Sequence, residues 1–185
     1  MPNKAVFLDR DGTLIEDRDY LSRPEDMVIF PGVPDALRRL SKAGFKLIIV
    51  TNQSGVGRGY FTLADVENVH QHLIAELELK GVRFEKIYVA PEAPDQASRG
   101  RKPSPQFLFD ARQEFGLDLQ QSYMIGDKLI DLACGWNAGV KRSILVRTGY
   151  GARVEAQKTP ELAREIVVDD IPAMADFILK DSGAK

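Results

Sequence analysis

The stretch Val6-Phe7-Leu8-Asp9-Arg10-Asp11-Gly12-Thr13-Leu14 decides the fold of this chain. An apolar run that ends at Leu8 is followed by two carboxylates, Asp9 and Asp11, and then by a glycine. A short apolar run closed by turn residues predicts a buried strand that meets a loop. Carboxylates at the end of a central strand project into the crevice at the carboxyl edge of the sheet, where α/β folds bind ligands.

The pattern Asp-x-Asp-Gly also occurs in calcium-binding loops. Such a loop requires a third oxygen ligand, a glutamate at its last position and a helix on each side. Here an apolar run precedes the motif and Thr13-Leu14-Ile15 follows it, so we set the calcium loop aside. A plain surface turn does not require two acids directly after a buried strand.

Length and composition predict one domain with a full core over residues 1–185. The net charge of −2 gives no general attraction to nucleic acid or membrane. The single cysteine, Cys134, can form neither an intrachain disulfide nor a thiolate zinc site. No apolar run approaches the about 20 residues of a membrane span. Met1–Lys4 run directly into the first predicted strand, so we expect no signal peptide. We expect a monomeric cytoplasmic protein with neither a nucleic-acid nor a membrane partner.

Apolar runs alternate with amphipathic segments along the chain. Strands are predicted over residues 5–8, 45–50, 84–89, 123–125, 143–146 and 166–168, and helices over 34–43, 63–80, 106–115, 129–137 and about 171–178. The segments 15–33, 53–61 and 90–100 are predicted loops. This alternation predicts a doubly wound, mostly parallel, Rossmann-like α/β sheet. The intervals between the strands leave no residues for a large cap domain.

Three predicted strands end in side chains suited to a cation or a phosphate. Asp9 and Asp11 follow the first strand, Thr51 and Asn52 end the second, and Asp127 follows the fourth. In a parallel sheet these ends lie at one edge. Three carboxylates there would repel one another unless a cation lay among them, and hard oxygen ligands favour Mg²⁺.

This set of residues suits phosphoryl transfer. One carboxylate can act as a nucleophile that forms an aspartyl-phosphate. A second, two residues further on, can protonate the leaving group and then activate water. A hydroxyl and a lysine at the same edge can neutralise the phosphoryl oxygens, and positioning and charge neutralisation do most of the work in such reactions.

Four features have structural interpretations that the pattern leaves open. The loop Asp17–Tyr20 is a candidate substrate loop or an ordinary solvated loop. The pair Arg101-Lys102 meets a phosphate or is a solvated basic pair. Asp131 lies in the first turn of a helix, where the helix dipole favours a carboxylate. His70 and His72 do not share a helix face, which excludes a zinc pair and predicts surface or partly packed side chains.

Four ordered motifs resemble those of the haloacid dehalogenase phosphohydrolases: Asp9–Thr13, Thr51–Gln53, Lys102 and Gly126-Asp127-x-x-x-Asp131. The resemblance covers about residues 4–150. Three further stretches are similar to the branch of that family that acts on heptose bisphosphate or histidinol phosphate: Gly55–Phe61, Arg101–Pro103 and Gly126–Lys128.

The resemblance implies a role for each matching residue. Asp9 is implied as the nucleophile and a Mg²⁺ ligand, and Asp11 as the general acid and base that binds the metal through its backbone carbonyl. Thr51 and Lys102 would hold the transferring phosphoryl group. Asp127 would be the remaining protein ligand of the metal.

The resemblance also implies residues around this centre. Asp131 would support the metal ligands without binding the ion. The residues that would meet the rest of the substrate are Asp17, Arg18, Asp19, Tyr20, Asn52, Gln53, Ser54, Arg58, Arg101 and Lys128. That branch carries a zinc loop, but its four ligand positions hold Ala90, Glu92, Ser98 and Gly100 in this chain, so we predict no zinc.

The resemblance thus implies a Mg²⁺-dependent phosphatase that removes the 7-phosphate of D-glycero-D-manno-heptose 1,7-bisphosphate through an aspartyl-phosphate. Histidinol phosphate is the main rival substrate, and a polynucleotide 3′-phosphate is a weaker one because the net charge is negative. A non-catalytic protein that only binds a phosphorylated ligand would not need both Asp9 and Asp11, and the presence of both argues against this alternative. A receiver-like domain shares the sheet, but the leaving-group role of Asp11 argues against it.

Overall fold

A parallel sheet of six strands forms the centre of the computed structural model, which describes residues 3–183. The strands are β1 (Lys4–Leu8), β2 (Phe45–Asn52), β3 (Lys86–Ala90), β4 (Tyr123–Gly126), β5 (Arg142–Val146) and β6 (Ile166–Val168). Their order across the sheet is β3-β2-β1-β4-β5-β6. In the central strand, Leu8 is in register with Ile49 of β2 and Ile125 of β4.

The α-helices within residues 3–183 are α1 (Val33–Lys42), α2 (Ser54–Gly57), α3 (Leu63–Glu78), α4 (Gln106–Phe115), α5 (Leu129–Ala138), α6 (Gly151–Ala156) and α7 (Ile171–Asp181). Short 3₁₀ turns lie at Pro24–Asp26, Leu119–Gln121 and Pro160–Arg164. Of the described helices, none is long and apolar enough to cross a membrane.

The central strand is buried on both faces, and its side chains alternate between two hydrophobic layers. Val6 and Leu8 join the layer that contains residues of α1, α3 and α7. Ala5 and Phe7 join the layer that contains residues of α4 and α5. Helices therefore cover both faces, which leaves the carboxyl edge of the sheet as the place where polar side chains collect.

The predicted doubly wound parallel sheet is confirmed, and in the described residues all its strand pairs are parallel. The predicted strands and helices agree with the observed ones to within about two residues at most ends. The predicted loop 53–61 was wrong in part because it contains α2, and α6 was missed. Both are too short to show a helical repeat of apolar residues. Residues 1, 2, 184 and 185 of the predicted domain lie outside the described residues.

Candidate active site

An acidic cluster, formed by Asp9, Asp127 and Asp131, lies at the carboxyl edge of the sheet. One carboxylate oxygen of each residue lies within 4.8 Å of the others, and all three residues are buried. The ammonium of Lys102 lies 2.7 Å from Asp9 Oδ1 and 2.7 Å from Asp131 Oδ1. The structure thus brings together Asp9, Lys102 and Asp127, which the sequence predicts at this edge.

Lys102 reaches the cluster from a loop. The side chain of Asn52, the last residue of β2, holds the backbone of this loop in place. Asn52 Nδ2 donates to Lys102 O at 3.2 Å, and Lys102 N donates to Asn52 Oδ1 at 3.0 Å. The side-chain amide of Asn52 therefore bonds both the N–H and the C=O of Lys102, as the backbone of a neighbouring strand would. Asn52 was predicted to bind substrate, and it also positions the lysine.

Asp131 supports the lysine from α5. Its Oδ1 forms the ion pair with Lys102, and its Oδ2 accepts a hydrogen bond from Lys128 N at 3.0 Å. The predicted place of Asp131 in the first turn of a helix is confirmed. Asp131 is thus engaged by an ammonium and by a backbone N–H, which agrees with a supporting place beside a metal ligand.

The charges in the acidic cluster are not balanced. Burial raises the pKa of Asp9 to about 6 against the opposing charge of Lys102. Burial, with repulsion from Asp9, raises the pKa of Asp127 to about 7. Burial lowers the pKa of Lys102, but the carboxylates of Asp131 and Asp9 have the larger combined effect and raise it above its ordinary value. Once all three acids are ionised, their negative charge exceeds that of the two ammonium groups, of Lys102 and Lys128, that act on the cluster.

The surroundings of Asp127 fit a divalent cation. Asp127 Oδ2 accepts a hydrogen bond from Tyr150 N at 2.8 Å, whereas Oδ1 is fully buried and has no hydrogen-bond partner in the described residues. A side chain at Gly12, whose φ is +78°, would collide with the Asp127 carboxylate. Asp127 Oδ1 and the carboxylate of Asp9 are therefore hard oxygen ligands of the kind that Mg²⁺ prefers.

Asp11 is held on the other side of Asp9 by a buried arginine. Arg10 Nε donates to Asp11 Oδ2 and Arg10 Nη2 donates to Oδ1, both at 3.0 Å. Gln53 Nε2 lies 2.9 Å from Asp11 Oδ2 and 2.8 Å from Thr51 Oγ1. Burial raises the pKa of Asp11, but the charge and hydrogen bonds of Arg10 outweigh burial and leave the pKa below its usual value. Asp11 is therefore ionised at rest, which suits a general base.

Two adjoining cavities open at this edge. The first has a volume of about 230 Å³, and its lining includes Asp9, Asp11, Arg101, Lys102, Lys128 and Asp131. The second has a volume of about 240 Å³, and its lining includes Asp17, Asp19, Tyr20, Gln53, Phe61 and Tyr150. Asp11, Asn52, Ser54 and Lys128 line both cavities. One ligand can therefore occupy both cavities while a phosphate lies beside Asp9.

Comparison with known proteins agrees with this geometry. Residues 100–174 match the hydrolase-like family described as HAD-hydrolase-like. The chain is 40% identical over 179 residues to the D-glycero-β-D-manno-heptose-1,7-bisphosphate 7-phosphatase of Haemophilus ducreyi, which covers 93% of this chain and 98% of that protein. This chain belongs to the haloacid dehalogenase family. It is a phosphoric monoester hydrolase.

Two further relatives of this haloacid dehalogenase phosphatase are similar over most of their length. The enzyme of the same name from Escherichia coli K12 is 38% identical over 172 residues, 89% of this chain and 90% of that protein. A crystal structure of D,D-heptose 1,7-bisphosphate phosphatase from B. bronchiseptica, complexed with magnesium and phosphate, is similar with a TM-score of 0.88 at 32% identity. The similarity covers 96% of this chain and 99% of that one.

The phosphatase brings most of the predicted substrate-binding residues to the two cavities. Those that line one or both are Asp17, Asp19, Tyr20, Asn52, Gln53, Ser54, Arg101 and Lys128. Arg18 and Arg58 line neither of these cavities. Arg18 is half exposed and pairs with Glu16 at 2.7 Å. Arg58 acts at longer range, since burial and the charge of Arg58 lower the pKa of Arg101.

The sequence interpretation missed two aromatic residues of the second cavity, Phe61 and Tyr150. The ring of Tyr20 lies 6.4 Å from that of Phe61, and Lys128 Nζ lies 4.8 Å from the ring of Tyr150. A signal for Tyr150 was present, because Tyr150 comes shortly after β5 and so lies at the same edge of the sheet as the carboxylates. Phe61 is the last residue of the Gly55–Phe61 stretch, so its signal lay in the family resemblance and not in the sheet topology.

The loop that lacks zinc ligands is held by its own hydrogen bonds. Ser98 Oγ donates to Glu92 Oε2 at 2.7 Å and accepts from Arg101 N at 3.1 Å. Arg101 Nη1 donates to Glu92 O at 3.0 Å. Glu92 and Ser98, two of the positions at which we predict no zinc ligand, thus fix the backbone and side chain of Arg101.

Mg²⁺ is expected to raise the melting temperature of this protein more at about pH 8 than at about pH 5.5. The pKa values of Asp9 and Asp127, about 6 and about 7, lie above the ordinary value of an aspartate, 3.8. The folded protein therefore binds more protons than the unfolded chain between about pH 4 and pH 7, and stability from these groups is lost as the pH rises through that window. A bound cation offsets that loss only where the carboxylates are ionised.

Differential scanning fluorimetry with and without Mg²⁺ at the two pH values measures this difference. Asp127→Asn serves as the matched control, because it removes a proposed ligand and should abolish the shift at the higher pH. Equal shifts of the wild-type protein at both pH values would contradict the prediction.

Proposed function

We propose that this protein removes the 7-phosphate from D-glycero-D-manno-heptose 1,7-bisphosphate through an aspartyl-phosphate on Asp9. The observation that carries the proposal is that one cavity contains Asp9, Asp11 and Lys102 together with two further cations, Arg101 and Lys128. The relatives named for this reaction support the choice of substrate. The predicted monomeric state and cytoplasmic location are part of the same proposal.

Asp9 attacks the phosphorus of the substrate, and the bond from phosphorus to the sugar oxygen breaks. Asp11 gives a proton to that oxygen and later takes one from the water that hydrolyses the aspartyl-phosphate. The arriving phosphate places negative charge near Asp11, which raises its pKa and favours the protonated form needed for the first step. Lys102 and Thr51 bind the phosphoryl oxygens.

Mg²⁺ is the proposed cofactor, held by carboxylate oxygens of Asp9 and Asp127 and by the backbone carbonyl of Asp11. When bound, it neutralises charge on the transferring group. We propose no zinc, because hydrogen bonds between Glu92, Ser98 and Arg101 hold the loop in its place. Arg101 and Lys128 line the same cavity and would bind the second phosphate of the substrate, for which Lys128 would exchange its ion pair with Asp17.

The deciding experiment measures phosphate release with Mg²⁺ from heptose 1,7-bisphosphate, histidinol phosphate and an aryl phosphate in parallel. We expect the heptose to have the highest kcat/KM. A preference for histidinol phosphate would overturn the assignment of the heptose as substrate. Hydrolysis of the aryl phosphate alone would support the phosphatase mechanism but not the heptose as substrate. No release from any of the three would overturn the proposed function.

Asp11→Asn is expected to lower kcat by about 100-fold while substrate binding persists, because proton transfer is lost but charge neutralisation around the phosphate is kept. Steady-state kinetics give kcat, and isothermal titration with the substrate gives Kd. Asp35→Asn, on the exposed part of α1, is the matched control and should change neither value. A variant with full turnover would exclude Asp11 as the general acid and base.

Ser98→Ala is expected to raise KM for the bisphosphate about fivefold with little change in kcat, since Arg101 loses the hydroxyl that fixes its backbone. The measured quantities are KM for the bisphosphate and for an aryl phosphate, which has no second phosphate. Ser182→Ala, near the end of α7, is the matched control. An equal rise in KM for both substrates would show that Ser98 does not act through the second phosphate.

A further inference from the structure

His70 is a buried histidine that the proposed reaction does not use. It lies on the inner face of α3 with Val66, Leu73 and Leu77, and only 2% of it is exposed. The prediction of a surface or partly packed side chain was wrong for His70, whereas the imidazole of His72 is 43% exposed and pairs with Glu76. A buried imidazole requires a hydrogen-bond partner, and that partner is what makes His70 informative.

The partner of His70 is Arg10. His70 Nε2 lies 3.0 Å from Arg10 Nη1, and Arg10 is 1% exposed. A guanidinium has only donors, so Nε2 must accept the hydrogen bond and the ring must be neutral, with its proton on Nδ1. Burial and the positive charge of Arg10 lower the pKa of His70 to about 3, which agrees with a neutral ring.

The same guanidinium holds Asp11 with its other two donor positions. Nε and Nη2 form a fork on the two carboxylate oxygens of Asp11, while Nη1 points to His70. A planar guanidinium fixed at three corners cannot rotate without breaking a hydrogen bond. The orientation of the Asp11 carboxylate therefore depends on a side chain that lies 60 positions from Arg10 in the sequence.

We propose that His70 is a positioning residue for phosphoryl transfer, which fixes the plane of Arg10 and through it the direction of the Asp11 carboxylate. The proposal rests on the role of Asp11 in the proposed function. If the acceptor is lost, Arg10 Nη1 is left buried without a partner, and the guanidinium must turn to find another one. A turn of the fork moves the carboxylate away from the leaving oxygen, which slows proton transfer without changing the cations that bind the phosphate.

Two amide variants test the hydrogen bond. In His70→Gln the side-chain amide reaches the place of Nε2, and its oxygen can accept from Arg10. In His70→Asn the amide is one methylene shorter and falls at the place of Nδ1. We expect kcat close to the wild-type value for H70Q and about 10-fold lower for H70N and H70L, with KM unchanged in all three.

The two amides are equally polar, so general damage to the core would affect both, and melting temperatures are recorded for each variant. Equal loss of kcat in H70Q and H70N, or full kcat in H70L, would overturn the proposal. Nitrogen-15 NMR of the wild-type imidazole tests the geometry without activity: a neutral Nδ1–H ring from about pH 5 to pH 8 supports it, and protonation near the ordinary histidine pKa would overturn it. Wild-type protein that releases no phosphate would instead overturn the proposed function.

Discussion

Replacing Asp9 by asparagine is expected to lower kcat by about 10⁴-fold or more, because an amide cannot act as the nucleophile that forms the aspartyl-phosphate. The substitution keeps the shape of the side chain, and the hydrogen bond from Asp9 N to Ile125 O does not involve it. Without Mg²⁺, D9N should melt no lower than the wild-type protein, since it removes one of three buried carboxylates that repel each other. Activity and apo stability should therefore respond differently.

Phosphate release from the bisphosphate measures kcat, and mass spectrometry of acid-quenched protein detects the phosphorylated chain. Asp176→Asn is the matched control, because Asp176 is an exposed residue of α7 that pairs with Arg39. It should keep wild-type turnover and the mass increase. A phosphorylated D9N chain, or turnover within tenfold of the wild type, would exclude Asp9 as the nucleophile.

Replacing Lys102 by methionine is expected both to destabilise the protein and to remove most of its activity. The ammonium pairs with Asp9 and Asp131 at 2.7 Å, and all three side chains are almost fully buried. Removing the ammonium leaves these buried carboxylates without their paired cation and costs about 3–5 kcal/mol of unfolding free energy. Loss of a donor to the phosphoryl oxygens should lower kcat by about 10³-fold.

Urea unfolding gives the free energy of unfolding. Mg²⁺ should restore part of the stability that K102M loses, because the bound ion supplies positive charge in place of the missing ammonium. Lys46→Met is the matched control: Lys46 and its partner Glu85 are both partly exposed, so this change should cost less than about 1 kcal/mol. If K102M and K46M lost the same stability, the Lys102 ammonium would not be the charge that balances the acidic cluster.

Sequence patterns were sufficient for the parts of the site that follow from topology. Asp9, Thr51 and Asp127 lie at the ends of apolar runs, and a parallel sheet brings such ends to one edge whatever the details of packing. The bounds of the sheet strands follow from the same runs. The carboxylates could therefore be placed before any contact between them was known.

The contacts that orient these groups could not be predicted in this way. Arg10 is buried, and it contacts His70 of α3, which no local pattern places beside it. The two short helices have no apolar repeat, so local sequence did not distinguish them from loops. Hydrogen bonds between residues far apart in the chain depend on side-chain packing that a periodic pattern does not describe.

Because Asn52 pairs with the backbone of Lys102, two consecutive residues, Arg101 and Lys102, are held in place by different parts of the fold. Lys102 is tied to the central sheet, whereas Arg101 is tied to Glu92 and Ser98 in the preceding loop. If Arg101 binds the second phosphate as proposed, substitutions in that loop change substrate preference while the lysine stays in place. A lineage with this design can then drift to a new substrate without first losing its chemistry.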